Sequence, residues 1–246
     1  MWTLAGPRLP ANGGPGVKPR ILDLFCGAGG AAMGYHRTGF EVVGVDIRPQ
    51  AHYPFAFFEA DAMTFPLDGF DAIHASPPCQ RYSSITKVRG NPESHPDLIE
   101  PTRERLLATG LPYVIENVER ARPWLREPVT ICAAAMGLHL DEDGKRYVLA
   151  RHRLFETNWW LMVPPCACDR RSANVEVLGV YGGGTRQDTR IRKNLSGGNT
   201  NKANRRHAAA LMDMPWATRQ EMNLAIPPAY TEWIGNQLLR LLQAAA

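Results

Sequence analysis

A cysteine that follows two prolines is the residue of this sequence best placed for covalent chemistry. Cys79 stands in Ser76-Pro77-Pro78-Cys79-Gln80, directly after the apolar run 70–75. The prolines restrict the backbone before the thiol, and open α/β sheets place their chemistry at the carboxyl ends of strands. Cys79 is therefore a candidate nucleophile, although a lone cysteine is more often a buried, inert thiol.

An acid and two arginines further along the chain can complete such a site. Glu116 begins Glu116-Asn117-Val118 at the end of another apolar run, and Arg151 and Arg153 flank His152. A thiolate, an acid and two guanidiniums at one sheet edge can add a nucleophile to an electron-poor ring and stabilise the charge that develops. Taken singly, Glu116 is equally well explained as a capping carboxylate, and Arg151 and Arg153 as a surface basic pair.

A glycine-rich turn early in the chain predicts a nucleotide-like cofactor. The stretch Asp23-Leu24-Phe25-Cys26-Gly27-Ala28-Gly29-Gly30 ends the first apolar run, and its glycines let backbone approach a ligand beside a helix N-terminus. Asp46 ends the next run, about twenty residues later, where such folds place an acid for the ribose hydroxyls. Asp61 could meet an adenine amino group. Because the glycine-rich turn, Asp46 and Asp61 follow successive apolar runs, together they favour an adenosine-containing cofactor. Each alone would fit a tight turn or a helix cap.

Short buried strands that alternate with helices must hold these residues. Apolar runs at 21–25, 41–45, 70–75 and 113–115 predict parallel strands, with helices at 30–37 and 97–109 between them. Helical periodicity returns over 204–212 and 230–242. The predicted fold class is α/β, a doubly wound, mostly parallel, Rossmann-like sheet. We divide the chain into a flexible leader (1–19), a catalytic and cofactor-binding domain (20–155), a loop-rich region (156–203) and helices that complete the catalytic domain (204–246).

Composition indicates a globular, enzyme-sized protein. The 246 residues are 44% hydrophobic, which allows a full core, and the formal net charge of +4 is compatible with a polyanionic partner without requiring one. The five cysteines lack the even spacing of a secreted framework, and no stretch has the length of a membrane span. We expect a cytoplasmic protein with no membrane partner.

The cysteines do not predict a metal site. Cys166 and Cys168 form one tight pair, with Cys132 and either His152 or His207 in reserve, whereas structural zinc sites usually combine two such pairs. We expect buried thiols and no metal.

The ordered motifs resemble those of the cytosine-5 DNA methyltransferases. The resemblance covers about residues 20–155 and 204–242 and is carried by 23–30, Pro78-Cys79-Gln80, Glu116-Asn117-Val118, Arg151-x-Arg153 and Gly235-Asn236. It implies transfer of a methyl group from S-adenosylmethionine to C5 of a flipped-out cytosine in double-stranded DNA. Cys79 would attack C6, Glu116 would hold and protonate N3, and Arg153 with Arg151 would support the activated ring.

The resemblance also implies two sets of binding residues. The cofactor site would be lined by Asp23, Phe25, Gly27, Gly29, Asp46, Ile47, Asp61, Ala62, Pro78 and Asn236. DNA would be contacted by Gln80, Arg81 and Ser83 in a mobile loop, and by Arg186, Arg190, Arg192 and Lys193 in a short target recognition region at 156–203. The implied enzyme is a monomer without an obligate protein partner, of the solitary prokaryotic or phage type that protects DNA from restriction.

Two departures from the family pattern stand out. Leu149 occupies a position where the family usually has Gln, two residues before the first arginine. Ile226-Pro227-Pro228 precedes Gly235-Asn236, whereas the prolines usually follow soon after the Gly-Asn pair.

Three alternatives stay open. Ser76-Pro77-Pro78 fits the amino-methyltransferases that act on adenine N6 or cytosine N4, although Cys79 replaces their aromatic residue. A cytosine-5 enzyme that acts on RNA would share the motifs. A catalytically idle DNA-binding module would keep the fold without the reaction.

Overall fold

Two β-sheets and five α-helices account for the described part of the chain, which in this computed structural model is residues 18–82, 91–168, 175–180 and 201–245. The strands are β1 (Arg20–Leu24), β2 (Glu41–Asp46), β3 (Ala56–Glu59), β4 (Ala72–Ala75), β5 (Tyr113–Asn117), β6 (Val129–Cys132), β7 (His139–Glu142), β8 (Lys145–Leu149), β9 (His152–Thr157), β10 (Val175–Gly179) and β11 (Asn201–Lys202). The helices are α1 (Gly30–Arg37), α2 (Ile99–Thr109), α3 (Arg205–Met212), α4 (Arg219–Leu224) and α5 (Pro228–Ala245). Short 3₁₀ turns lie at Pro92–Ser94, Glu119–Trp124 and Ala134–Met136.

The central sheet has the strand order β3-β2-β1-β4-β5-β9-β6. Its first five strands pair in parallel, and β9 runs antiparallel between β5 and β6. The chain leaves β1 in one direction through β2 and β3, then crosses to β4 on the other side of β1. Ligands of open α/β sheets bind where the strand order reverses in this way, at the carboxyl ends of the strands.

Both faces of this sheet are covered, which explains why its central parallel strands are mostly apolar and buried. Ile21 belongs to the core shared with α1 and α5, and its neighbour Leu22 belongs to the core shared with α2. Helix α5 lies very close to α1, because a Cβ at Gly34 would be 2.2 Å from the Pro228 carbonyl oxygen. The Thr231 hydroxyl donates a 2.8 Å hydrogen bond to the Ala31 carbonyl. The last helix thus closes one face of the sheet.

The second sheet has the strand order β11-β10-β8-β7. Its strands β7 and β8 lie between β6 and β9 in the chain. Strands β7 and β8 form a hairpin whose turn residues, Asp143 and Gly144, have φ of +50° and +71°. Such values are those of the two-residue turns that fit the twist of paired strands. This sheet begins at His139, inside the range assigned to the catalytic domain, and β9 then returns to the central sheet.

A buried ion pair connects helix α2 to the strands that carry the candidate catalytic residues Glu116 and Arg153. The Arg103 guanidinium on α2 donates to both oxygens of Glu156 on β9, at 2.6 and 2.7 Å, and both side chains are 1% exposed. The Tyr113 hydroxyl on β5 adds a 3.1 Å bond to the same carboxylate. Helix α2 therefore sets the position of β9 against β5.

The α/β fold predicted from the sequence is confirmed. The predicted strands and helices lie within about two residues of β1, β2, β4, β5, α1, α2 and α3. Strand β3 and the strands from β6 onward were not predicted. None of the helices within the described ranges is both long and apolar enough to cross a membrane.

Candidate active site and cofactor site

The candidate nucleophile and the candidate acid lie at neighbouring strand ends. Cys79 follows β4 and is partly exposed, whereas Glu116 is the penultimate residue of β5 and is buried. Arg153 reaches across from β9, with its Nε 3.1 Å from Glu116 Oε1. Three of the four residues predicted to be catalytic therefore meet at one sheet edge.

Charges at this edge act on one another. Burial raises the pKa of the Glu116 carboxyl, opposed by the nearby charge of Arg153 and by a hydrogen bond from Ser76. Burial likewise raises the pKa of the Cys79 thiol, and Arg153 opposes this shift while Glu116 adds to it. The resting site thus favours a protonated thiol, beside a carboxyl that holds its proton more firmly than an exposed glutamate does.

The backbone before Cys79 is held by the residue after Glu116. The buried Asn117 amide donates a 2.9 Å hydrogen bond to the Pro77 carbonyl, and its own oxygen accepts from the Val118 amide. Prolines have no backbone N–H, so this carbonyl contact is how the side chain can fix the turn. Asn117 therefore couples the position of the thiol to the strand that carries the acid.

A buried chain of hydrogen bonds runs to Glu116 from helix α1. Tyr35 Oη lies 2.9 Å from His74 Nδ1, and His74 Nε2 lies 3.0 Å from Ser76 Oγ, which in turn bonds Glu116. Burial lowers the pKa of His74 to about 3, so the imidazole is neutral. One of its nitrogens then donates and the other accepts, which allows the chain to run in either direction as Glu116 gains or loses its proton.

Sequence reasoning missed Tyr35 and His74 and left Ser76 unassigned. The signal for Ser76 and His74 was their alternation on β4, which puts both side chains on one face of the strand. Tyr35 comes from α1, and nothing in the sequence connects it to β4.

Arg151 has a different position from the one expected. Its guanidinium is buried and donates to three carbonyl oxygens, those of Val180 at 2.5 Å, Asn223 at 3.3 Å and Ala225. It thereby ties β10 and the segment before α5 to the start of β9. Its charge still lowers the pKa of Cys79 and Glu116, so we assign Arg151 to positioning and electrostatics.

The glycine-rich turn has the backbone of a ligand cradle. Phe25, Gly27 and Gly29 have φ of +58°, +49° and +80°, and a phenylalanine rarely adopts such a value outside functional sites. No side chain caps the amino end of α1 that follows. Backbone amides there can face a ligand directly.

Asp46 and Ile47 fit an adenosine group beside this turn. The two Asp46 oxygens each accept one backbone amide, from Gly27 and from Arg48, both at 3.0 Å. A carboxylate has about four acceptor positions, so two stay available for ribose hydroxyls. Ile47 is 67% exposed immediately after this acid, an apolar surface on which a base can pack.

The other predicted cofactor residues fall into two groups. Asp61 is exposed and accepts from the Met63 amide at 2.8 Å, Ala62 is buried, and Pro78 is half-buried at the turn before Cys79. Asp23, in contrast, is completely buried, and Gly29 lies against Pro54, where a Cβ would be 2.8 Å from the ring. These last two residues shape the turn from beneath and are too enclosed to contact a ligand.

Asp23 carries an unusual buried carboxyl. Burial and the nearby Asp46 raise its pKa well above the ordinary range, while the Ala32 amide acts in the opposite direction. Neither oxygen has a well-formed hydrogen bond to a described residue.

Asn236 lies at the wrong edge of the sheet for cofactor binding. It is exposed, its amide bonds the Glu232 carbonyl, and Gly235 beside it packs on Tyr35 and Thr38 at the carboxyl end of α1. The turn that would hold the cofactor is at the amino end of α1. The prediction for Asn236 was wrong, because it assigned the last motif to the Gly-Asn pair that follows the prolines.

The segment 216–226 occupies that place instead. The Trp216 indole donates to the Ala28 carbonyl at 2.9 Å, a Cβ on Gly30 would be 2.1 Å from the Ile226 carbonyl oxygen, and Glu221 lies 2.9 Å from His52. Asn223 belongs to this segment and precedes Pro227 and Pro228, in the order that the family pattern has. The structure therefore brings Asn223, which the sequence analysis overlooked, to the edge expected of the last motif.

Two of the predicted DNA-contacting residues, Gln80 and Arg81, lie within the described ranges. Gln80 is exposed, whereas Arg81 donates to the His95 carbonyl at 3.0 Å and Tyr82 is buried with its hydroxyl 2.5 Å from Asp97. Residues 81 and 82 are thus anchored to the segment 95–97. Ser83, Arg186, Arg190, Arg192 and Lys193 lie outside the described residues.

Comparison with known proteins agrees with this geometry. Residues 19–122 match the family model of the C-5 cytosine-specific DNA methylases. The resemblance to the cytosine-5 DNA methyltransferase family is confirmed. A search of curated proteins found no match to the chain. The matched residues include Cys79, Glu116 and the whole glycine-rich turn.

Solved structures support the same fold over almost the entire chain. A protein described as a DNA modification methyltransferase encoded within an E. coli prophage shares 16% identity and a TM-score of 0.54, covering 92% of this chain and 100% of that one. The S. pombe Dnmt2 methyltransferase shares 12% identity at a TM-score of 0.55, with 92% and 99% coverage. The Entamoeba histolytica methyltransferase EhMeth shares 10% at 0.53, with the same coverage.

The match over residues 19–122 indicates the general class of reaction. This part of the chain is similar to the C-5 cytosine-specific DNA methylases, which implies S-adenosylmethionine as the cofactor. The strained turn, the Asp46 carboxylate and the exposed Ile47 fit that cofactor on structural grounds.

Proposed function

We propose that this protein methylates C5 of cytosine in double-stranded DNA through a covalent adduct between Cys79 and C6 of the base. The observation that carries this proposal is the meeting of Cys79, Glu116 and Arg153 at the carboxyl ends of β4 and β5 and on the adjoining β9, where Arg153 lies 3.1 Å from Glu116. A nucleophile, an acid and a fixed cation at one sheet edge meet the needs of a nucleophilic addition to a ring.

C5 of cytosine is a poor nucleophile until a group adds at C6. In the proposed reaction the Cys79 sulfur forms a bond to C6 while the Glu116 carboxyl gives its proton to N3. The electron pair of the C5–C6 double bond becomes available at C5, which would take up the methyl group of bound S-adenosylmethionine and leave S-adenosylhomocysteine. Loss of the C5 proton to a base then expels the Cys79 thiolate and restores the double bond, and the N3 proton returns to Glu116.

Protonation states at the resting site match these roles. The raised pKa of Glu116 favours the acid form that can donate to N3, and Arg153 holds the carboxyl in place as its charge changes. Cys79 must lose its proton before it attacks, and the charge of Arg153 lowers its pKa in that direction. We assign Arg153 to stabilising both anions.

The target carbon is enclosed in a duplex, so the base must leave the stack to reach Cys79. Enzymes that act on bases in this way extrude the nucleotide into a pocket. Cys79 is partly exposed at the sheet edge and Gln80 beside it is exposed, which leaves the nucleophile open to an incoming base.

Ser76 has a function within the cytosine-5 site. Its hydroxyl bonds both His74 and Glu116, so the serine that also begins the amino-methyltransferase pattern is explained without that activity. A reaction at an exocyclic nitrogen would need no covalent partner at Cys79.

A trapping experiment tests the proposal. DNA duplexes that carry 5-fluorocytosine are incubated with protein and S-adenosylmethionine, because fluorine at C5 cannot leave as a proton and should hold the S–C6 bond. We expect an adduct that survives denaturation with wild type and with Ser94→Ala, which changes an exposed residue outside the site, and none with Cys79→Ala. An adduct at full yield with Cys79→Ala would refute the assigned nucleophile.

A methyl-transfer assay distinguishes a DNA substrate from an RNA substrate. Transfer of labelled methyl groups is measured on duplex DNA and on RNA that contain the same cytosine contexts. We expect DNA to be labelled. Labelling confined to RNA would replace the substrate but keep the chemistry, and protein that binds cofactor yet labels neither would favour the idle binding module.

A further inference from the structure

Four potential metal ligands come together beside the beginning of β9, the strand that carries Arg153. Cys132 ends β6 and His152 begins β9, and the two residues are directly paired in the antiparallel register. Cross-strand partners of this kind have their side chains on the same face. The chain after β9 then brings Cys166 and Cys168 to them.

Their ligand atoms form a compact tetrahedral set. Cys132 Sγ lies 3.3 Å from Cys168 Sγ and 3.6 Å from Cys166 Sγ, while His152 Nε2 lies 3.3 Å from Cys166 Sγ and 3.5 Å from Cys168 Sγ. All four atoms are within 4.8 Å of one another. A regular zinc tetrahedron has edges of about 3.8 Å between sulfurs and about 3.6 Å between sulfur and nitrogen, given its bond lengths.

Neither a disulfide nor a set of packed thiols accounts for the cluster. A disulfide needs a sulfur-sulfur distance of about 2.05 Å, and all three cysteines are free. Three thiols cannot pair completely in any case. Cys166 is exposed and Cys168 half-exposed, which is not the environment of thiols packed as small apolar groups.

From this geometry we infer that Cys132, His152, Cys166 and Cys168 bind one zinc ion in a closed structural site. Three thiolates and one imidazole satisfy tetrahedral zinc without leaving a position for water or substrate. Glu119 lies 3.6 Å from His152 Nδ1, so a carboxylate stands at the second ring nitrogen, as is usual for zinc-bound histidines. The expectation that these cysteines are buried thiols without metal is thereby replaced.

The sequence hid this site because its ligands come from three separate places. The Cys-x-Cys pair is tighter than the usual zinc spacing, and β6 and β9 each supply a single ligand. His207, the other histidine considered, is elsewhere and lies 2.7 Å from Glu142.

Zinc at this position would act on the catalytic edge through the backbone. His152 stands between Arg151, which ties β10 and the segment before α5 to β9, and Arg153, which contacts Glu116. A metal bound to His152 and to Cys166 and Cys168 holds the beginning of β9 against the chain that leaves it. Zinc would position Arg153 without touching the base.

Metal content tests this inference directly. Protein purified under reducing conditions from medium with zinc is analysed by elemental mass spectrometry without cofactor or DNA, so the result does not depend on methyl transfer. We expect one zinc per chain in wild type and in Cys79→Ala. Cobalt that replaces the zinc should give visible bands of a tetrahedral thiolate site.

Cys166→Ser is the variant of choice, because Cys166 is exposed and its replacement leaves the core intact. We expect it to release zinc to a competing chelator at least about 100-fold more readily, since loss of second-shell contacts alone costs about 10–100-fold. Cys26→Ser, outside the cluster, should retain the metal. Wild-type protein that remains folded with far less than one zinc per chain, even after zinc is added, would overturn the inference. A Cys132–Cys168 disulfide in freshly reduced protein would do the same.

Discussion

Replacing Ser76 by alanine tests the buried hydrogen-bond chain that reaches Glu116. The substitution removes the hydroxyl 3.0 Å from His74 Nε2 and leaves that nitrogen, on a fully buried imidazole, without its partner. An unsatisfied buried polar group costs about 1–3 kcal/mol. For a protein of this size we therefore expect the melting temperature to fall by about 2–12 °C.

The same substitution should change the pH dependence of methyl transfer. The Ser76 hydrogen bond lowers the pKa of Glu116, so its loss raises that pKa further. If Glu116 donates its proton to N3, activity is lost as pH rises through this pKa, and the alkaline limb of the profile of kcat/KM should move to higher pH in Ser76→Ala.

Urea unfolding and pH profiles of methyl transfer are measured for wild type, Ser76→Ala and Ser94→Ala. Ser94 is exposed and its hydroxyl bonds only the Asn91 carbonyl among described residues, so its loss should change stability by less than about 0.5 kcal/mol. The reasoning fails if Ser76→Ala is as stable as Ser94→Ala and has the wild-type pH profile.

Three further outcomes follow from the described contacts. Asn223→Ala should weaken S-adenosylmethionine binding about tenfold in calorimetry, the cost of a lost hydrogen bond, whereas Asn236→Ala at the opposite sheet edge should leave the Kd within about twofold. Glu156→Gln should lower the free energy of unfolding in urea by about 3–5 kcal/mol, because it removes the buried counter-charge of Arg103 and leaves only the exposed Glu100 carboxylate as its charged partner among described residues. Alkylation of Cys79 by iodoacetamide, followed by peptide mass spectrometry, should accelerate up to a pH above the ordinary range of a cysteine, because burial raises the pKa of this thiol.

Results opposite to these would be informative. Equal affinity in both asparagine variants would separate the segment 216–226 from the cofactor site. A Glu156→Gln loss no larger than that of Glu100→Gln, whose carboxylate is exposed, would show that the buried pair contributes little. A midpoint for Cys79 near that of an exposed thiol would mean that the pocket is more hydrated than its burial indicates.

Four of the five parallel strands, β1, β2, β4 and β5, could be predicted because each is a buried, mostly apolar run with a candidate functional residue at or just after its end. Asp46, Cys79 and Glu116 follow directly from that pattern. Phe25, which follows β1, could be assigned to the cofactor turn in the same way. Local patterns and chain order are sufficient for such residues.

The remaining features depend on contacts that sequence patterns do not record. Strand β9 enters the sheet between β5 and β6, so Arg151 and His152 acquire their partners from distant segments. Asn236 was assigned to the last motif because a glycine precedes it, although Gly235 serves the packing of α5 on α1. The zinc ligands are separated by up to 36 residues and share no local period.

The contact between α1 and α5 has a consequence for the time at which the protein can fold. Thr231 bonds Ala31 across 200 residues of chain, and α5 covers the face that α1 and β1 would otherwise expose. At about 5–20 residues per second, a ribosome takes about 10–40 s to synthesise that interval. Throughout it the nascent chain carries the glycine-rich turn on an incompletely covered sheet, so this protein should depend on chaperones during synthesis more than its small size would indicate.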